Sequence, residues 1–497
     1  MAKKRAIAAG IIATFGAAGA AYLAVKRAGE DAAAKPPPKR TAPPTSRSSR
    51  NLELARIGTQ TGAAFAAHRA RRVFASAERK PQLDAAFELR SAEQVAAALG
   101  NMKGALMKVG QMASYLDQGL PEPVRAALSQ LQSDAPPMAP ALVAQVVVAE
   151  LGAPPEDVFA EWDPHPIAAA SIGQVHRALT KDNRAVAVKV QYPGIAEAIR
   201  SDLANADLVF GGIAMLFPGM DPKPIVEEIK ARVVEELDYL LEADNQRLFV
   251  DYYHDHPFIH IPAVIDELST ARVLTSELAT GARLETVLTW SRSEQNLAAE
   301  AIYRYVFRSL YRLHAFNGDP HPGNYLFRPG GQVTFLDYGL VKRFTPREVS
   351  MFRRMIEAMV LHDDLDAYRE LLAEEGLLRD HAKFSDDQLS AYFKHFYEFV
   401  MIDEPRTLTS EWSSESVRRF FDPGGPYSEV AKSANLTPSF VIIQRINLGL
   451  GAILGDLNAT RNWRRIADEL WPFVDGPPST PLGELEAEWR RAHPDRG

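Results

Sequence analysis

Apolar and polar positions along this chain follow three successive patterns. From residue 51 to about 140 the apolar positions recur at helical spacing. Met102, Leu106, Val109, Ala113 and Leu116 stand 4, 3, 4 and 3 apart, the spacing of a core-facing helix stripe. Between about 150 and 280 short alternating runs dominate. Ala185-Val-Ala-Val-Lys-Val190 puts Val186, Val188 and Val190 on one face of a strand and Ala185, Ala187 and Lys189 on the other. His260–Val264 and Val273–Ala279 read as further strands, the second running out at Thr280-Gly281. Beyond 281 helical spacing returns: Glu294–Phe316 reads as one long helix, and 363–475 as helical with a polar break at Asp403–Ser414. One hairpin interrupts it, Tyr325-Leu-Phe and Val333-Thr-Phe-Leu on either side of Pro329-Gly330-Gly331. The resulting division is 1–31, a 32–50 linker, a 51–149 helical extension, a 150–280 lobe with the strands, a 281–480 helical lobe and a 481–497 tail.

The hairpin is where this pattern acquires chemistry. A hairpin brings its outer ends together, so Asn324 and Asp337 should meet. An amide oxygen beside a carboxylate suits a hard cation such as Mg²⁺ that takes phosphate oxygens as its other ligands. Asp319, five residues before Asn324 in a loop rich in Pro and Gly, is placed to accept a proton or orient a nucleophile. Asp-x-x-x-x-Asn followed by Asp-x-Gly is the catalytic layout of kinase-fold phosphotransferases. A polar surface hairpin is the plainer reading of the same residues.

That layout needs a lysine for the phosphates. Lys189 shares a sheet face with two alanines, which leaves room beside it for a flat ring such as adenine. Its partner is sought on an acidic helix at Ile225–Tyr252, where Asp238, Glu242 and Asn245 share a face and Val234, Leu237, Leu241 and Leu248 supply the apolar side. Glu242 lies 53 residues beyond Lys189, which suits a Lys–Glu ion pair. Glu236 stands only two before Asp238, so the helix must start or distort there if both act together. Ala168, Ala169, Ala170, Ser171, Ile172, Gly173 and Gln174 form a strand–loop–strand edge whose small residues would let backbone amides approach a polyphosphate. The backbone around Glu277 and Ala279, at the hinge between the halves, is placed for the adenine edge. After Asp337-Tyr-Gly339, Thr345-Pro-Arg-Glu348 reads as a capped helix start, leaving no long peptide-gripping segment.

Composition narrows the partners. The net charge of −7 leaves no global basic footprint for nucleic acid, and the absence of cysteine excludes disulfides and thiolate metal sites. Ala6–Val25 is uncharged for 20 residues, long enough as a helix to span a bilayer at about 30 Å. A membrane anchor, a signal peptide and an Ala-rich surface helix are all consistent with it. As an anchor, with more basic residues after the span than before it, it places the bulk of the chain at the cytoplasmic face of the membrane. The Pro- and Arg-rich 32–50 stretch reads as a linker that an anionic leaflet would attract, or as a plain spacer. In the extension, Asn101, Gly104, Lys108, Gln111 and Tyr115 make a second, polar helix face. Gly104 and Gly110 each cost about 1 kcal/mol against alanine, which points to close approach of another surface. By themselves Lys108 and Gln111 read equally as a solvated face.

Taken together, these residues resemble the UbiB/AarF family of atypical kinase-like proteins, linked to coenzyme Q and isoprenoid-lipid metabolism. The resemblance rests on Lys108-Val-Gly-Gln111, Ala168–Gln174, Lys189 with Gln191-Tyr-Pro-Gly194, Glu236-Leu-Asp238 with Glu242, Asp319-Pro-His-Pro-Gly-Asn324 and Asp337-Tyr-Gly339, and covers roughly residues 95–455. It implies an α+β, two-lobed protein-kinase-like fold with an N-terminal helical extension and a mostly helical C-terminal lobe. It also implies ATP and Mg²⁺ binding, an ATPase or small-molecule kinase activity stimulated at membranes, and a lipid or isoprenoid partner. Lys108 and Gln111, with Glu236 and Asp238, would then close over the active site as a lid, Lys108 either competing with Lys189 and the metal for the nucleotide's charge or pairing with the acidic motif to hold the lid shut. Two departures are Asn317-Gly318 where His-Ala is common, and Tyr338 where kinases usually have Phe. A nucleotide-switched, non-catalytic lipid-binding module and a relative of aminoglycoside or choline phosphotransferases are the competing readings.

Overall fold

The computed structural model describes residues 138–170, 172–203, 234–318, 320–378, 381–421, 427–433 and 438–496. The candidate anchor at 6–25, the linker, the helix with Lys108 and Gln111, and the residues Ser171 and Asp319 lie outside the described residues. Pro137–Ile195 and Phe217–Gly497 form one compact unit, which carries everything that follows. Met1–Pro136 and Ala196–Leu216 form another, described only for the helical residues Ala196–Leu203.

The first lobe is built on an antiparallel sheet in the order β1-β2-β3-β5: β1 (Glu161–Ala170), β2 (Gly173–Leu179), β3 (Ala185–Gln191) and β5 (Val273–Glu277). The alternation read from the sequence holds. Val186, Val188 and Val190 are fully buried, facing Val143, Val146 and Val147 of α1 (Pro140–Leu151) in one core cluster. Burying a valine is worth about 1.5–3 kcal/mol, enough for these residues to hold helix and sheet together. The opposite face of β3 is left for Lys189. A short β4 (Ile259–His260) lies outside this sheet and runs parallel to the hairpin strand β8 (Gln332–Phe335). The strand expected over 260–264 therefore shrinks, because Pro262 cannot donate to a ladder.

The second lobe is helical around α3 (Arg292–Arg308), which is buried on nearly every side. The long helix expected to Phe316 does not continue. It widens into a π turn at Ser309–Leu313, His314 takes a left-handed φ of 51°, and Ala315–Asn317 becomes β6. β6 pairs antiparallel with β9 (Val341–Arg343), which places Asn317 opposite Val341. The hairpin β7 (Tyr325–Arg328) and β8 (Gln332–Phe335) forms as the turn chemistry demands, with Gly330 and Gly331 at φ 81° and 77°. Helix α4 (Pro346–Ile356) opens with the expected capping box between Thr345 and Glu348. The lobe then continues through α5 (Leu365–Glu374), α6 (Asp386–Met401), α7 (Ser410–Phe421), α8 (Pro438–Asp456), α9 (Trp463–Leu470) and α10 (Pro481–Ala492). Among the described residues no helix is long and apolar enough to cross a membrane.

Candidate active site

Lys189 sits between Val175 of β2 and Leu274 of β5 in the sheet register. Its Nζ donates to Glu242 Oε1 at 2.7 Å and Oε2 at 2.9 Å, and lies 3.4 Å from Asp337 Oδ2. It also stands 5.1 Å above the ring of Tyr239. Burial works against the ammonium, but Asp337 and Glu242 outweigh it and hold the Lys189 pKa well above the usual lysine value. Burial also pushes the Glu242 carboxyl up, to about 7, against the pull of Lys189. The sheet thus delivers one cation to a pair of carboxylates from two distant parts of the chain.

The helix that brings Glu242, α2, spans Tyr239–Tyr252, and its start decides which acidic residues reach the site. Asp238 is the N-cap, exposed, its carboxylate accepting from Leu240 N at 3.0 Å. The expectation that Asp238 shares a helix face with Glu242 and Asn245 is therefore corrected, because Asp238 precedes the first helical turn. Glu236, in the turn before the cap, is buried and faces the site. Of the apolar side expected here, Leu237 is buried and Leu248 packs against the core, but the face does not extend to Val234. Val234 is exposed, while Glu242, Asn245 and Gln246 are buried. The polar face is turned inward because partners wait there: Asn245 Nδ2 donates to Tyr338 O at 3.3 Å and Gln246 Nε2 to Pro262 O at 2.6 Å.

The expected hairpin forms, and its outer ends come together at Asn324 and Leu336. Leu336 N donates to Asn324 O at 2.8 Å, one pair beyond Tyr325 and Phe335, so Asn324 lies beside the residue preceding Asp337. Asp337 has a left-handed φ of 60°. Gly339 N donates to its Oδ1 at 3.1 Å, and Asn317 Nδ2 donates to its carbonyl at 2.7 Å. A strained backbone held by such bonds is characteristic of functional positions. Gly339 has little spare room: a Cβ there would sit 3.3 Å from Asp337 Oδ1, 3.4 Å from Glu242 Oε2 and 3.7 Å from Glu236 Cγ. Glu236, Glu242 and Asp337 thus converge on one point. The loop around Asp319 is anchored on both sides by Gly318 N to Leu340 O at 2.6 Å and Arg283 Nη1 to Gly323 O at 2.6 Å.

Of the edge assigned to a polyphosphate, Ala168, Ala169 and Ala170 lie on β1, paired with Val175, Gln174 and Gly173. The role expected of this edge rests on backbone amides, and the side chains of Ile172 and Gln174 point into the protein. Both are buried, and the Gln174 amide accepts from Met138 N at 2.8 Å and meets His176 Nε2 at 2.9 Å. Gly173 also has a packing reason to be small: a Cβ there would lie 2.2 Å from Val190 O and 2.9 Å from the Tyr239 hydroxyl. At the hinge, Glu277 N donates to Ala263 O at 2.8 Å and Leu278 N to Ala185 O at 3.0 Å, so an adenine edge there would be met by the remaining groups near Ala279. His260 draws the Glu277 carboxyl below its usual value.

The sequence reading missed Tyr239, Arg283 and the service of Asn317. Only Asn317 carried a signal, as the polar replacement beside Asp319. Among the described residues no three His, Asp or Glu side chains are grouped to hold a metal unaided. The Asn324–Asp337 pair fits a cation completed by phosphate oxygens, with a carboxylate and an amide as a hard, oxygen-only donor set.

The profile of the ABC1 atypical kinase-like domain matches residues 130–371. The atypical kinase COQ8B, mitochondrial, of Rattus norvegicus is 33% identical over 270 residues, 54% of this chain and 51% of that protein. The atypical kinase COQ8, mitochondrial, of Saccharomyces cerevisiae is 28% identical over 288 residues, 58% of this chain and 57% of that protein. The chain thus spans about half the length of the curated relatives it matches. The solved complex of Rv3197 with erythromycin from Mycobacterium tuberculosis is similar at a TM-score of 0.57 and 31% identity, covering 79% of this chain and 98% of that one. With its α+β, two-lobed kinase-like fold, the chain belongs to the UbiB/AarF-type family of ABC1 atypical kinase-like proteins.

Proposed function

We propose that this protein binds ATP with Mg²⁺ between its lobes and acts as a membrane-associated atypical kinase or ATPase in isoprenoid-quinone, coenzyme Q-type, or related lipid metabolism. The observation that carries the reading is Lys189, held at 2.7 Å by Glu242 and 3.4 Å from Asp337. That is the arrangement that presents an ammonium to the α/β-phosphates. The names of the rat and yeast relatives, both atypical kinases, favour a kinase-type reaction. The link to quinones rests on the family resemblance, and the membrane role on that resemblance and the uncharged Ala6–Val25 run.

In this reading Lys189 positions the polyphosphate and Glu242 keeps Lys189 in place. Asn324 and Asp337 hold the cation, which supplies charge neutralisation at the phosphate oxygens. Asp319 orients the acceptor hydroxyl or a water. Its oxygen bonds to the γ-phosphorus as the bond to the β,γ-bridging oxygen breaks, and its proton passes to Asp319. Lys108 and Gln111, with Glu236 and Asp238, act as the lid that sets nucleotide choice.

Phosphate release from ATP by the purified full-length chain, with and without anionic liposomes, tests this. We expect Mg²⁺-dependent turnover raised by liposomes, and Asp337→Asn should abolish Mg²⁺-dependent nucleotide binding. Wild-type Mg·ATP affinity in Asp337→Asn would sink the metal assignment. Binding without turnover under every condition would leave the nucleotide-switched regulatory reading in its place.

A further inference from the structure

A ladder of buried charges joins α3 to α10. Arg304 Nη1 meets Glu486 Oε2 at 2.9 Å, and Arg308 Nε meets Glu486 Oε1 at 2.5 Å. Burial opposes the charge on Glu486, yet Arg308, His256 and Arg304 hold its carboxyl well below the usual range. Both oxygens of that one carboxylate are thereby committed to guanidinium groups on α3. One turn further along each helix, the pairing fails. Arg312 follows Arg308 by four positions and Arg490 follows Glu486 by four, so where the ladder calls for a carboxylate, α10 presents a second guanidinium.

The consequence is written in the hydrogen bonding. Arg308 Nη1, Arg312 Nε and Arg490 Nε are all buried atoms without a hydrogen-bond partner. Arg308 is 1% exposed, while Arg312 and Arg490 are half-buried, which leaves a route from solvent. Desolvation first, then repulsion from Arg308, lowers the pKa of Arg312 and of Arg490. The neighbouring Tyr252 hydroxyl brings no neutralising charge, because it donates to Arg496 O at 2.8 Å. A buried polar group without a partner is destabilising, and a charged one more so.

We propose that Arg308, Arg312 and Arg490 form a binding site for a phosphate-class oxyanion where the end of α3 meets α10. Three guanidinium groups, from the end of α3, the π turn that follows it and α10, offer several N–H donors to a tetrahedral anion, which brings three or more acceptor oxygens and between one and two negative charges. The anion can come from free phosphate or from the phosphate of a lipid headgroup, and the chemistry of recognition is the same.

The test is thermal unfolding of the full-length chain, titrated with inorganic phosphate at constant ionic strength. A Lys189→Gln background removes the phosphate response of the nucleotide centre. In that background phosphate should raise Tm saturably. Adding Arg490→Gln or Arg312→Gln should weaken the phosphate response at least tenfold. Without phosphate, each variant should melt at the same temperature as the background or higher, since a like charge has been removed. An unchanged phosphate response in both variants overturns the site. So does a lower phosphate-free Tm in both, which would mean that the arginines serve packing rather than an anion. Flotation with phosphatidic acid vesicles, compared with phosphatidylcholine vesicles, separates the sources. Loss of phosphatidic acid flotation in the two variants assigns a lipid phosphate, and a response confined to inorganic phosphate assigns a soluble one.

Discussion

Replacing Glu242 by Gln perturbs the centre at one point, removing a charge while keeping the side chain's shape. In the native chain Lys189 Nζ has two contacts to this carboxylate, at 2.7 and 2.9 Å. The amide leaves one neutral acceptor. Hydrogen bonds to charged groups are worth about 1.5–3 kcal/mol, so losing one of the two contacts weakens the grip on Lys189 by at least about 1.5 kcal/mol. Lys189 then has Asp337 as its remaining carboxylate partner at 3.4 Å, and it is drawn toward the group assigned to the cation. Both changes oppose Mg·ATP binding, and the expected loss of affinity is roughly tenfold or more. Stability should respond differently. The folded carboxyl titrates at about 7 against an ordinary 4.5, so the unfolded chain releases this proton first. The ionised group therefore costs stability, increasingly so from pH 4.5 to about 7, and a neutral amide removes that cost. Calorimetric titration with Mg·ATP beside a melting curve separates the two effects. Affinity within twofold of wild type would refute the idea that Glu242 positions Lys189 for nucleotide. A large fall in Tm with unchanged affinity would make the pair purely structural.

Other outcomes follow from the same geometry. Gly173→Ala should destabilise the first lobe by about 2–3 kcal/mol in urea unfolding, because its Cβ would meet Val190 O at 2.2 Å; a loss under about 0.5 kcal/mol would show that the strands separate freely. Glu486→Gln should cost about 3–5 kcal/mol by stranding Arg308, since Arg304 keeps Glu300 and Glu469 at 2.9 Å each. Because the folded Glu486 carboxyl lies well below 4.5, its contribution is present above pH 4.5 and is lost as pH falls, so the variant should show a shallower acid limb in its stability profile.

Local signals carried much of the site. The hairpin that sets Asn324 beside Leu336, the neighbour of Asp337, followed from a Pro-Gly-Gly turn between two β-prone runs, since a hairpin's register is set by its own turn. The Lys189–Glu242 pair was legible once a lysine on a small-residue sheet face and a glutamate on an acidic helix were set beside the Asp-x-Gly motif. Boundaries were read less well. The helix expected to Phe316 ends at Arg308 because Ala315–Asn317 finds a strand partner in Val341–Arg343, which helical periodicity cannot foresee.

What the sequence determined by itself is whatever depends on neighbours in the chain: the alternation of β3, the glycine turn, the capping box at Thr345 and the short path from Gly339 to Pro346. What only the tertiary structure decided is which polar groups go inside. A buried polar face and a solvated one have the same composition, and they differ only in whether partners are waiting. Asn245 and Gln246 are buried because Tyr338 O and Pro262 O accept from them. Asp238 stays outside because its carboxylate is satisfied by its own helix. Glu486 is buried because Arg304, 182 residues earlier, meets it across α3 and α10, and no local pattern encodes that distance.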